Sequence, residues 1–74
     1  MDVNVVIAAR KGDREAYGKL MAEMRPALMA QARAIVKDDY IAYECVSETM
    51  MRIFDKLPQL RSAGSFPAWA RKIC

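Results

Sequence analysis

Few residues in this 74-residue chain could do chemistry, and the first to test are the acids. Glu44 and Glu48 lie four apart, a spacing that sets two carboxylates on one side of a helix. Paired carboxylates can hold a cation or share acid and base roles, but two alone on a helix surface simply face solvent. The chain has no histidine, so the usual proton carrier near neutral pH is missing, and no nucleophilic triad can be assembled. Two cysteines without histidine make no ordinary zinc site. Cys45 is expected as a buried free thiol, and nothing indicates a partner for the terminal Cys74. Gly12 and Gly64 are isolated, so no loop cradles phosphate. The residues argue against an enzyme, a metal or a cofactor, and what remains is binding.

Two binding patterns stand out. In the segment ECVSETMMRIF (44–54), the helical period gathers Cys45, Val46, Thr49, Met50 and Ile53 on one face. Ala42 precedes them on that face and Leu57 follows. Glu44, Ser47, Glu48, Met51 and Asp55 take the opposite face. Met51 is an apolar side chain set in an acidic stripe, and an apolar anchor inside a polar rim is how a protein-docking surface is built. The second pattern is Arg61, Ser62, Ser65, Phe66, Trp69, Arg71 and Lys72. Cations that track phosphates, interleaved with rings that stack on bases, suit single-stranded nucleic acid. Alternatively, Phe66 and Trp69, three apart, turn inward and leave only the charges outside.

Charge divides the same way. The net charge is +3, yet residues 38–55 carry one basic and five acidic side chains, while 56–74 carry four basic and none acidic. An acidic surface repels nucleic acid and a basic one attracts it, so the two parts face different partners.

The elements that must hold these residues read as helices throughout, with no strand. A short helix over about 3–11 stops at Gly12. Asp13 caps a second helix, with Glu15 in its first turn. Its apolar row is Tyr17, Leu20, Met21, Met24, Leu28, Ala32 and Ile35. Pro26 predicts a kink, or two abutting helices, near Arg25. Asp38 or Asp39 caps a third helix that runs to about Leu57. Residues 58–65 form a loop, and a last helix begins near Phe66 with Pro67 in its first turn. The expected fold is all-α, a small bundle of three main helices plus a short N-terminal one. Most of the six methionines are expected in the core. No apolar run of about eighteen residues exists, and the N-terminus lacks a signal-peptide pattern, so a reducing cytoplasm is the expected setting without membrane insertion.

The order of these pieces resembles region 2 of the bacterial extracytoplasmic-function sigma factors, of the sigma-70 family. The resemblance rests on Gly12-Asp13 followed by Ala16 and Tyr17, on Arg25-Pro26 followed by Leu28, on Ala42 through Leu57, and on Phe66-x-x-Trp69. It covers nearly the whole chain. Tyr43, Glu44 and Ser47 stand where the family often has Glu, Asp and Gln. The resemblance implies a domain that docks on the β′ clamp helices of RNA polymerase and recognises and melts the promoter minus-ten element. The family is usually held in check by an anti-sigma factor. By position, Glu44, Ser47, Glu48, Met51, Arg52 and Asp55 would meet polymerase. The loop Arg61 to Phe66 would capture an unstacked base of the non-template strand, and the helix after it, with Trp69, Arg71 and Lys72, would read the rest. A sigma-like decoy that binds an anti-sigma factor without touching DNA is the alternative. Residues 1–74 are expected to be one region 2-like domain cut short at its C-terminal end, because the family's promoter-reading helix continues further.

Overall fold

The structure, a computed structural model, describes residues 1–73. The expectation for Cys74 lies outside the described residues. Four helices follow in order: α1 (Val3–Arg10), α2 (Arg14–Ile35), α3 (Asp39–Lys56) and α4 (Phe66–Ile73). Two short 3-10 turns, Leu57–Gln59 and Ala63–Ser65, stand between α3 and α4. Among the described residues there is no strand, as the helical periodicity predicts.

Four of the helix boundaries have a clear local cause. Asp2 caps α1 by accepting the Asn4 amide at 2.8 Å. At the other end Gly12 takes φ +104°, which lets its own amide reach the Ala9 carbonyl (3.0 Å) and the Asp13 amide reach the Ala8 carbonyl (3.1 Å). This crossed pair of bonds closes a helix through a left-handed residue, and a glycine takes that conformation without strain. Asp13 then caps α2 through the Ala16 amide, so two helices meet with no wasted residue. Asp38 caps α3 by accepting both the Tyr40 and Ile41 amides, at 2.9 and 3.0 Å. Of the two candidate caps, Asp38 is the one used, and Asp39 sits in the first turn, where its charge favours the helix N-terminus.

Pro26 does not divide α2, which is one helix of 22 residues. Proline withholds the amide that would bond the Ala22 carbonyl. Ala22 and Pro26 are both exposed, so water can serve that carbonyl. At 1.5 Å per residue α2 spans about 33 Å, which sets the 35 Å long axis of a molecule 20 and 19 Å across.

The core runs along α2 and α3. Leu20, Met24, Leu28, Val46, Ile53 and Leu57 are its middle, Val6 and Ala9 enter from α1, and Leu60, Phe66 and Ala70 close the far side. Thr49 is its buried polar residue, and its hydroxyl donates to the Cys45 carbonyl at 2.8 Å. Met21 and Met24 are core, and Met29 and Met50 pack at its edge, but Met1 and Met51 are exposed.

Two apolar placements differ from expectation. Cys45 is exposed, because it stands on a flank of α3 that nothing covers, where Ile41 and Arg52 are exposed too. Ile35 is 77% exposed. It is the last residue of α2, and Val36, one turn beyond Ala32, packs on the core in its place.

Candidate docking face and nucleic-acid surface

The outward face of α3 carries more apolar surface than Met51 alone. Met51 is 69% exposed, Phe54 55% and Tyr43 53%. With Ser47 between them, these residues follow steps of three and four along the helix. The face runs into a cleft of about 470 Å³ between α2 and α3, lined by Tyr17, Arg25, Ser47, Met50, Met51, Phe54 and Asp55. Its wall is built by packing. The rings of Tyr17 and Phe54 meet edge to face, with centroids 5.1 Å apart and planes at 77°. The Tyr17 hydroxyl donates to the Met50 carbonyl at 2.6 Å, tying α2 to the middle of α3. Burial, and then the negative charge of Asp55, raise the Tyr17 phenol above its ordinary value, so it remains a proton donor. On the other side the Arg25 guanidinium sits over the Tyr43 ring, 5.9 Å from the centroid, within cation–π range.

Acids rim this apolar strip. Glu44, Glu48 and Asp55 are exposed. Arg52 donates to Glu48 at 2.7 Å, a solvent-exposed pair that adds little stability. A bond to Glu44, followed by slight desolvation, raises the Tyr40 phenol. The sequence-derived residues Glu44, Ser47, Glu48, Met51, Arg52 and Asp55 therefore share one side of α3, with Ser47 half-buried as part of the cleft wall. Tyr17, Arg25, Tyr43 and Phe54 were missed. The spacing 43, 47, 51, 54 was available as a signal for two of them, while Tyr17 and Arg25 join only through the packing of α2 on α3.

The basic segment is organised differently. Arg61, Ser62, Ser65, Arg71 and Lys72 are exposed and Trp69 is half-buried. Phe66 is a correction: it is 0% exposed and offers no face to a base. It opens α4 as the segment's anchor in the core, with Trp69 tilted beside it at 6.0 Å between centroids. Of the two aromatics, only Trp69 keeps an accessible part. The loop itself is held by small bonds. The Ser65 amide and hydroxyl both donate to the Ser62 carbonyl, at 3.1 and 2.8 Å. Arg10 reaches in from α1 to donate to the carbonyls of Leu60 (2.9 Å) and Arg61 (3.4 Å). Gln31 donates to the Arg71 carbonyl at 3.1 Å, fixing α4 to α2.

Among the described residues no three His, Cys, Asp or Glu side chains gather as a metal site, and no helix is long and apolar enough to cross a membrane. The arrangement suits two contacts: an apolar and acidic helix face for a protein, and a basic loop and helix for a polyanion.

Comparison with known proteins gives the same direction. The family model for sigma-70 region 2 matches residues 20–74. A Xanthomonas campestris pv. campestris protein described as "Probable RNA polymerase sigma factor RfaY" is 31% identical over 65 residues. Those residues are 88% of this chain but 16% of that protein, so the chain spans about a sixth of the relative's length. No solved structure matches the chain.

Proposed function

The chain belongs to the sigma-70 region 2 family, and from that premise we propose that it is the polymerase-docking and minus-ten-reading domain of an RNA polymerase sigma factor, a longer protein of which residues 1–74 form one domain. The observation that carries this reading is Met51, an apolar side chain left 69% exposed at the middle of α3 in a chain with ample core elsewhere.

Docking works from that anchor outward. Met51, Phe54 and Tyr43 present flexible and aromatic surface to the β′ clamp helices of polymerase, and the open cleft beside them can take an apolar side chain from the partner. Glu44, Glu48 and Asp55 form the rim, where charge steers approach and register more than it adds affinity. Tyr43 and Ser47 stand where the family often has Glu and Gln. Tyr43 makes this chain's contact more apolar, and Arg25 braces its ring.

The DNA side follows from charge and from the burial of Phe66. With that ring in the core, an extruded base meets the loop backbone and the hydroxyls of Ser62 and Ser65, and Trp69 contributes only its accessible part. Arg61, Arg71 and Lys72 meet phosphates. An anti-sigma factor would compete for these same exposed faces.

Titration of the chain with a β′ clamp-helix fragment tests the docking claim. Met51→Ala and Glu48→Lys are each expected to weaken binding, Met51→Ala by about 1–2 kcal/mol, with the melting temperature unchanged. Equal affinity for wild type and both variants would return this face to plain solvent exposure.

A further inference from the structure

We propose that Arg10 is a positioning residue for the nucleic-acid loop, and that α1 serves as the strut that holds it; this rests on the DNA reading above. The match to the family model begins at residue 20, so α1 lies outside it. Within the fold, α1 packs on α2 and on both 3-10 turns that bracket the loop. Val6 and Ala9 are buried there, which fixes the helix and so fixes where its last side chain can reach.

That last residue is Arg10, and its guanidinium bridges fifty residues of chain. One nitrogen donates to two successive carbonyls, those of Leu60 at 2.9 Å and Arg61 at 3.4 Å. Leu60 is the loop's buried entry and Phe66 its buried exit. The other bonds of the loop are local, from the Leu60 amide to Leu57 and from Ser65 to Ser62. Among the described residues the polar contacts that tie this loop to a distant element both come from Arg10. A planar guanidinium holds neighbouring carbonyls in a fixed relation, whereas an ammonium is a point donor on a flexible stem. Its charge also suits the C-terminal end of α1. The structure gives Arg10 no carboxylate partner among the described residues, so its contacts on that side are the loop carbonyls alone. With that bridge in place, Ser62, Ser65 and Arg61 are presented in one arrangement before a base arrives. Without it the competent loop is only a fraction of the population, and affinity falls by that fraction.

The test uses the 74-residue chain as wild type, Arg10→Met and Arg10→Lys. Amide hydrogen exchange is read at Leu60 and Ser65, and affinity is read with a single-stranded DNA 12-mer enriched by the wild type from a random pool. Arg10→Met is expected to speed exchange at those two amides and to lower affinity on the order of tenfold, the scale of one charge-assisted bond. Exchange along α2 and α3 should not change. Arg10→Lys keeps the charge but not the bridge, and should restore only part of both effects. Unchanged loop exchange in Arg10→Met overturns the proposal and leaves the DNA reading standing. Full restoration by Arg10→Lys also overturns it, since the residue would then act as a bare cation. Failure of the wild type to enrich any oligonucleotide overturns the DNA reading and this proposal together. Faster loop exchange without loss of affinity overturns the positioning role alone.

Discussion

The outer face of α3 and the segment from Leu60 to Ile73 each present charged residues to solvent, but they use their aromatic residues in opposite ways. On α3, Tyr43 and Phe54 stay outside beside Met51, on a helix whose inner face is fully packed. In the later segment the fully buried ring, Phe66, is spent on the core, and the exposed chemistry is left to serines, arginines, a lysine and a half-buried Trp69. A long helix packed along its whole length can carry apolar anchors outside at no cost to its fold. An eight-residue helix after a loop cannot, because it needs its ring to be held at all. In the proposed function, one region therefore offers a partner exposed side chains on a rigid support, and the other offers the shape of a loop.

The largest effect that could break this contrast is Phe66→Ala. Truncating a fully buried ring costs about 3–5 kcal/mol, a large share of the roughly 4–11 kcal/mol expected for a domain of this size. Thermal melting should show a steep loss. An unchanged melting temperature with weakened DNA binding would make Phe66 a stacking residue and erase the difference between the regions.

A smaller effect sharpens the basic side. Single-strand affinity should fall with salt at a slope of about −0.7 per phosphate contacted. Each of Arg71→Gln and Lys72→Gln should make the slope shallower by about that amount, without altering which oligonucleotide is preferred. A variant that keeps the slope but changes the preference would place base reading on α4 instead of the loop.

The smallest concerns the α3 side. Tyr17 keeps its proton more firmly in the folded state than its ordinary 10.0. The stability this contributes is complete below that pH and is lost as pH rises through the higher folded value. A pH series of melting temperatures should therefore decline above about pH 10. Tyr17→Phe should flatten that decline in part, since Tyr40 is raised as well. A variant that declines as steeply as wild type would remove Tyr17 from the alkaline limb.

Much of this architecture was legible because helix signals are local. Asp13, Asp38, Gly12 and Pro67 mark boundaries by their own backbone and side-chain chemistry, and the helix order follows from them. Met51 was legible because its periodicity contradicts its polarity. Cys45 and Ile35 were misread, since period alone says which way a residue points and not whether anything covers it. Of the two outcomes Pro26 allowed, the division into two helices did not occur: the exposed Ala22 carbonyl that proline leaves unbonded can be met by water, so the packing of α2 carries the helix through. Arg10 and Tyr17 could not be found in advance. Their roles depend on contacts fifty and thirty-three residues away, which exist only once the helices pack.

In the proposed function two separate surfaces serve two different partners. Nitrogen-15 correlation spectra of the chain, recorded while a β′ clamp-helix fragment and then a single-stranded oligonucleotide are added, test it in one experiment. The fragment is expected to shift the amides of Tyr43, Ser47, Met51 and Phe54, and the oligonucleotide those of residues 61–65 and the Trp69 indole. Shifts from both additions on one shared set of residues, or from the fragment on residues 61–73, would contradict it.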